Sequence, residues 1–350
     1  MRPLLRVVAV AAAIVAMVLV LRGSGDEPAA PPRDDVPAAG EPARPEDVGR
    51  AGATPLRPGS GRGLDPARLP VPNGGPDEHD RLWDPRDWAL FEAKIRWADS
   101  AGLADLPAGA AIGRLAESFV GTSYAPGTLE VEGPERLVID FREFDCVTFV
   151  ENVLALTRFI RSGGAGLLDD PTAAQAHYDR YLEALRYRGG VLDGYASRLH
   201  YFSEWLADNE SRGLVRVVTG ELDPAADAEP IDFMSTHPDA YRQLSEPGVL
   251  AAIEAMEARL NGAGPRSFVP QDRIGAVADR IETGDVIAAT STVPGLDIAH
   301  TGIALWIDGW LHLVHAPLVG RAVEISEVPL ADRIASIRGQ DGIMVARPVF

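Results

Sequence analysis

The chain has 350 residues, of which 46% are hydrophobic and 24% charged, so wholesale disorder is excluded. A formal net charge of -18 argues against nucleic acid or an anionic membrane surface as a partner, because phosphates are normally bound by concentrated Lys and Arg. The single cysteine, Cys146, excludes an intrachain disulfide framework and a cysteine-rich zinc module.

The chain begins with a positively charged stretch that contains Arg2 and Arg6, followed by an unbroken apolar run from Val7 to Leu21. This run is shorter than the roughly 20 residues that a transmembrane helix needs. It predicts an export signal, or an N-terminal membrane anchor if it is not removed, since no clear small-residue cleavage site follows. We therefore expect the protein in the periplasm or cell envelope.

Residues 23–80 are crowded with Pro, Ala, Gly, Asp and Arg and show no period of 2 or 3.6. Such a stretch buries too little apolar area to offset its ordering entropy, which predicts a disordered linker. The folded domain is expected over residues 81–350.

Within that domain the apolar periodicity predicts mostly helices first and closely spaced strands last. This segregation favours an α+β fold with an antiparallel sheet over a parallel, doubly wound one. The predicted helices are Trp88 to Ala98, Ala110 to Val120, Cys146 to Ile160, Ala173 to Arg186, Leu199 to Asn209 and Leu250 to Leu260. The predicted strands are Arg136 to Phe141, Leu214 to Thr219, Asp285 to Thr290, His300 to Ile307, Trp310 to His315, Ala322 to Ile325 and Ile343 to Ala346.

Cys146 lies directly after Asp145, at the start of one of these helices. Asp is a good N-cap, which would place the thiol in the positive field of the helix terminus. A thiol there is expected to have a lowered pKa and to be a better nucleophile. The competing interpretation is a small buried core residue. An unpaired thiol in an exported chain favours the nucleophile.

The best candidates for a catalytic base lie in one hairpin, where two apolar runs flank Asp308-Gly309, a preferred type I′ turn dipeptide. Pairing across this turn sets Ile307 against Trp310 and, further along, Gly302 against His315. His300 then becomes a diagonal neighbour of His315, about 7 to 8 Å away between backbones.

This register predicts Cys146 as nucleophile, His300 as general base and acid, and His315 as the orienting third residue, with Gly302 leaving room for its ring. One β-bulge would reverse the parity and put His312 in place of His315. A metal site is the rival interpretation. Because His312 and His315 face opposite sides of a regular strand, one ion could not bind both. We therefore predict no metal and no cofactor.

Five segments together resemble the N-acetylmuramoyl-L-alanine amidase-like family, once described only as a domain of unknown function (DUF1460) and a distant relative of the NlpC/P60 cysteine peptidases. They are Phe144 to Asn152, Arg198 to Trp205, Asp232 to Ser235, Gly284 to Ile287 and Gly295 to Gly302. The resemblance implies a papain-like fold with extra helices, in which the nucleophile helix packs on an antiparallel sheet, and action on bacterial cell-wall peptides.

The stretch from Gly121 to Gly127 is similar to the relatives' Gly-x-x-Tyr-x-x-Gly motif, which implies that Tyr124 lies beside the active site and could assist an oxyanion. The ending His315-Ala-Pro also matches the relatives' third-residue motif. Arg198 is a candidate ligand for a stem-peptide carboxylate. Two further candidates for substrate contact are His200 and Asp297.

These observations predict a monomeric, thiol-dependent hydrolase that acts on peptidoglycan, does not bind nucleic acid and meets the membrane only through residues 1–22. The family resemblance favours cleavage between muramic acid and L-Ala. The alternatives are an endopeptidase that cuts within the stem peptide, for example at a γ-D-glutamyl bond, and a wall-binding domain without catalytic activity.

Overall fold

A computed structural model of the protein describes residues 81–350. The predictions for residues 1–22 and 23–80 lie outside these described residues. Within residues 81–350, no helix combines the length and apolar character needed to cross a membrane.

All six helices predicted from the sequence are present, with ends displaced by a few residues. Aspartates cap three of them: Asp84 accepts from the Arg86 backbone N–H (2.8 Å), Asp145 from that of Thr148 (2.8 Å) and Asp170 from that of Ala173 (3.1 Å). The six helices are α1 (Pro85–Ser100), α2 (Ala108–Glu117), α3 (Cys146–Arg161), α4 (Pro171–Arg186), α5 (Phe202–Ser211) and α7 (Pro247–Gly262). Three short helices lacked a clear sequence period: α6 (Phe233–Thr236), α8 (Ile274–Val277) and α9 (Leu330–Ser336).

The strands form one antiparallel sheet of eight strands and two small parallel pairs. Four two-residue strands make the pairs: β1 (Arg81–Leu82) with β3 (Leu137–Val138), and β2 (Ser123–Tyr124) with β4 (Glu143–Phe144). The large sheet contains β5 (Val215–Val217), β6 (Ala225–Asp227), β7 (Arg266–Pro270), β8 (Val286–Ser291), β9 (Ile298–Ile307), β10 (Trp310–His315), β11 (Glu324–Ile325) and β12 (Gln340–Pro348). Its order is β11-β10-β9-β8-β12-β7-β6, and β5 pairs with β12 beside β7.

The sheet separates two hydrophobic cores, because successive residues of a strand face opposite sides. On β8, Val286 and Ala288 belong to the core formed with the long helices, whereas Ile287 and Ala289 belong to the core formed with α8 and α9. The predicted α+β class with an antiparallel sheet is therefore confirmed. Helix α3 lies in the first core and is buried along nearly its whole length.

Candidate active site

Cys146 is the first residue of α3, as the sequence predicts. The Asp145 carboxylate caps this helix by accepting from the backbone N–H groups of Val147 (3.1 Å) and Thr148 (2.8 Å). The Thr148 hydroxyl in turn accepts from the Asp145 N–H (2.9 Å), which completes a capping box. The local sequence thus fixes the thiol at a helix N-terminus.

The predicted lowering of the thiol pKa is wrong. Burial, together with the nearby Asp145 carboxylate, raises the pKa of Cys146 to about 11, although hydrogen bonds from Thr301 act in the opposite direction. The same aspartate that caps the helix therefore opposes ionisation of the residue beside it. The Cys146 side chain is therefore a neutral thiol at neutral pH.

The capping box also limits which backbone groups can stabilise an oxyanion. Asp145 occupies the N–H groups of Val147 and Thr148, so these cannot serve a substrate carbonyl without releasing the cap. The Cys146 N–H lies beside its own sulfur and, among the described residues, has no other backbone partner. The cap therefore leaves the Cys146 amide free to donate a hydrogen bond.

The hairpin that carries the histidines has the predicted turn and register. Asp308 and Gly309 both have positive φ, 49° and 84°, as a type I′ turn requires. Trp310 pairs with Ile307 and His312 with Leu305, and the ladder runs without a bulge to Val314 and Ile303.

His300 and His315 meet at the end of this hairpin, with 2.9 Å between His300 Nε2 and His315 Nδ1. Their rings lie nearly perpendicular to each other. His315 is completely buried, and burial together with the Arg333 guanidinium lowers the pKa of His300 to about 3. The predicted orienting contact is present, and it joins two neutral imidazoles.

His312 points away from this pair and donates from Nδ1 to the Ser326 carbonyl (2.8 Å). A Cβ at Gly302 would lie 2.7 Å from the Val314 carbonyl oxygen and 2.8 Å from the Leu313 side chain. The glycine thus allows β10 to approach β9 closely at this position.

Thr301 connects the start of α3, which carries Cys146, to β9, which carries His300. Its hydroxyl donates to the Cys146 carbonyl oxygen (2.7 Å), which fastens the start of α3 to the strand next to His300. Thr301 lies in the segment from Gly295 to Gly302 that resembles the family, but its role is not evident from the sequence. A side chain that anchors backbone leaves no periodic signal in a sequence.

Two charged residues surround the outer nitrogen of His315. Arg333 on α9 places Nε 3.3 Å from His315 Nε2 and Nη2 3.5 Å from His315 Nδ1, and Glu324 Oε1 on β11 lies 3.6 Å from Nε2. Neither residue was identified from the sequence. The predicted strand from Ala322 to Ile325 could have shown Glu324, because it pairs directly with His315 across β10 and β11.

Tyr124 lies close to Cys146, as the resemblance implies. Its strand pairs with β4, Tyr124 opposite Phe144, two residues before Cys146. Burial raises the pKa of the Tyr124 phenol, and the negative charge of an ionised Cys146 would raise it further. The phenol therefore stays protonated and can donate a hydrogen bond.

Arg198 does not present a free guanidinium to a ligand. It is 4% exposed, donates to Glu130 Oε1 (2.5 Å) and to the Leu129 carbonyl (3.1 Å), and lies 3.6 Å from Glu135. Its charge is neutralised by the chain's own carboxylates. The geometry therefore argues against the predicted contact with a substrate carboxylate and gives Arg198 an internal role.

His200 and Asp297 are also engaged within the protein. His200 donates from Nε2 to the Tyr195 carbonyl (2.9 Å), and burial lowers its pKa well below the usual value. The buried Asp297 carboxylate accepts from the backbone N–H of Ser203 (2.7 Å) and that of Ile298 (2.7 Å). Asp297 thus ties the start of α5 to the start of β9, which positions the strand that carries His300.

No group of three or more His, Cys, Asp or Glu in residues 81–350 is arranged to hold a metal ion. Glu151, one and a half turns into α3, instead forms a buried ion pair with Arg186 Nε (2.7 Å). That pair fixes α3 against α4.

Residues 114–343 match the family model described as N-acetylmuramoyl-L-alanine amidase-like. The chain belongs to this amidase-like family. Its fold is similar to the crystal structure of an N-acetylmuramoyl-L-alanine amidase from Bacteroides uniformis, with 34% identity and a TM-score of 0.63 over 69% of this chain and 99% of that one. It is also similar to a protein from Bacteroides fragilis described as a putative xylanase, with 35% identity and a TM-score of 0.60 over 66% of this chain and 98% of that one.

A third similar structure is LPG0564 from Legionella pneumophila, which carries the DUF1460 description. It is 19% identical with a TM-score of 0.54, over 75% of this chain and 95% of that one, and so supports the fold alone. No functionally curated protein matches the chain. The resemblance to the amidase-like family that the sequence suggested is therefore confirmed.

Proposed function

We propose that the protein is an exported cell-wall hydrolase, an N-acetylmuramoyl-L-alanine amidase that uses Cys146 as nucleophile and His300 as base. The observation that carries this proposal is the Thr301 hydrogen bond to Cys146, which brings a thiol at a helix start to the strand of a hydrogen-bonded histidine pair. Membership of the amidase-like family supports the substrate class.

The first chemical step is a proton transfer coupled to attack. The Cys146 thiol and the His300 imidazole are both neutral before the attack. His300 therefore takes the thiol proton as the sulfur bonds to the amide carbonyl carbon. The oxyanion is held by the Cys146 N–H, with the Tyr124 phenol as second donor. His300 then protonates the leaving amine as the C–N bond breaks.

The second step releases the product. His300 removes a proton from water, the hydroxide adds to the thioester carbonyl, and the sulfur leaves and regains its proton. The products are a carboxylic acid and an amine. For the amidase these are the lactyl carboxylate of muramic acid on the glycan and the free amino group of L-Ala on the stem peptide.

Mass spectrometry of digested muropeptides identifies which amide bond the protein cleaves. Free stem peptide together with bare glycan supports the amidase, whereas glycan that still carries L-Ala-D-Glu identifies an NlpC/P60-like endopeptidase instead. Hydrolysis should be lost in Cys146→Ala and retained in Ser162→Ala, an exposed control at the far end of α3. Unchanged hydrolysis in Cys146→Ala would remove the thiol mechanism, and no hydrolysis by any form would favour a wall-binding domain.

A further inference from the structure

The contacts of His300 leave one of its nitrogens available for chemistry. His300 Nε2 is bonded to His315 Nδ1, so only Nδ1 can take the Cys146 proton. A nitrogen that accepts a proton must start without one, and a neutral imidazole carries its single proton on the other nitrogen. His300 is therefore competent as a base only when Nε2 carries the proton and donates to His315.

The position of the proton on His300 also fixes the position of the proton on His315. If His315 Nδ1 accepts from His300, the proton of His315 must lie on Nε2. Two charged groups face Nε2: the Arg333 guanidinium at 3.3 Å and the Glu324 carboxylate at 3.6 Å. Arginine can only donate, whereas an ionised carboxylate can only accept. Glu324 thus favours the base-competent arrangement. Arg333 favours the reverse one only weakly, because its Nη2 also lies 3.5 Å from His315 Nδ1 and can donate to that nitrogen as well.

Strand pairing places Glu324 next to Nε2 of His315. β10 and β11 pair His315 directly with Glu324, so their side chains lie on one face. The carboxylate also rests on Gly320, where a Cβ would approach Glu324 Oε2 to 2.4 Å. The titratable and charged groups in contact with His315 are then His300 from β9, Glu324 from β11 and Arg333 from α9.

We propose that Glu324 is a positioning residue for the base, which acts through His315 to keep Nδ1 of His300 free for the thiol proton. This inference rests on the proposed function of Cys146 and His300. During attack the proton moves from sulfur to His300 Nδ1, and the carboxylate stabilises the positive charge that the imidazole pair gains without taking a proton itself. Arg333 opposes that charge.

Nitrogen-15 NMR of the full chain with labelled histidine tests the tautomer without any substrate, because protonated and unprotonated ring nitrogens resonate in separate regions. We expect the proton of His315 on Nε2 in the wild type and on Nδ1 in Glu324→Ala. Arg333→Met should strengthen the wild-type pattern. Glu327→Ala removes an exposed carboxylate three residues along and provides the matched control.

Hydrolysis of muropeptides provides the second readout. We expect Glu324→Ala to lower kcat by at least about tenfold with little change in KM, since the defect lies in proton transfer, and Glu327→Ala to leave both unchanged. A wild-type His315 proton on Nδ1, or a tautomer that Glu324→Ala does not move, would overturn the inference. If the tautomer shifts as expected but the wild type hydrolyses nothing, the proposed function fails and the positioning role in the histidine pair stands.

Discussion

The Thr301 hydroxyl donates to the Cys146 carbonyl across 2.7 Å, although the two residues lie 155 positions apart in the chain. This hydrogen bond determines how the start of α3 sits over β9. Because the neighbouring residue on β9 is His300, the same contact sets the approach of thiol and imidazole.

We expect Thr301→Val to lower kcat more than tenfold, because the start of α3 loses its link to the strand. The free energy of unfolding should fall by about 1–2 kcal/mol, since the variant leaves a carbonyl without its partner. Thr301→Ser keeps the hydroxyl and should retain most of the activity. Steady-state kinetics and urea unfolding check both variants, and equal activity in the Val and Ser variants would contradict the linking role.

The raised thiol pKa predicts slow alkylation of the resting protein. With a pKa of about 11, Cys146 holds roughly a hundredfold less thiolate at pH 7 than an ordinary cysteine. Since the chain has one cysteine, the mass added by iodoacetamide reports this residue alone. The rate should rise steeply with pH above neutrality, and the urea-unfolded chain provides the reference. Rapid alkylation at pH 6 would instead show a preformed thiolate and imidazolium pair.

Glu151 and Arg186 form an ion pair whose side chains are only 2% and 1% exposed. Removal of one partner leaves an uncompensated buried charge, so Glu151→Gln should cost about 3–5 kcal/mol in the free energy of unfolding. The pair of Glu92 and Arg96 on the surface of α1 is the matched control, and Glu92→Gln should cost less than about 1 kcal/mol. Similar losses in the two variants, measured by urea unfolding, would contradict this account.

The buried His200 predicts a pH-dependent loss of stability. Burial lowers its pKa in the folded state, so the unfolded chain binds more protons as the pH falls below about 6.5. Stability conferred by the neutral ring is therefore present above that pH and lost below it. Between pH 7 and 5 we expect the wild type to lose up to about 2 kcal/mol relative to His200→Gln.

This comparison with His200→Gln is necessary because buried carboxyls act in the opposite direction. Burial raises the pKa of Asp179 to about 7, which makes the folded state more stable as the pH falls from 7 towards 4. The difference between two variants at each pH removes that shared contribution. His237→Gln, on the protein surface, is the control, and a constant difference between the wild type and His200→Gln would contradict the prediction.

The hairpin and the nucleophile helix could be predicted because their signals are local. Asp145 before an apolar period specifies the start of α3, and Asp308-Gly309 specifies the turn that pairs β9 with β10. Contacts that cross the fold left no such signal. Arg198 pairs with Glu130, and Arg333 approaches His315, although the partners are far apart in the chain. These contacts could not be predicted from the sequence.

The protonation state of Cys146 could not be predicted from the position of its helix alone. The field of α3 favours the thiolate, but the burial of the sulfur and the carboxylate that caps the helix act against it. Desolvation and a like charge together outweigh a helix terminus. Local sequence therefore predicted where the sulfur lies but not its protonation state.

The order of the site along the chain has a consequence for biosynthesis. Cys146 belongs to the helical layer, whereas His300, His315 and Thr301 all come from strands near the C-terminus. A nascent or truncated chain that ends before β9 contains the sulfur without any of the groups that would activate it. The enzyme that we propose is therefore synthesised in an inactive form, and it becomes competent for hydrolysis only when residues 298–350 have folded onto the helical layer.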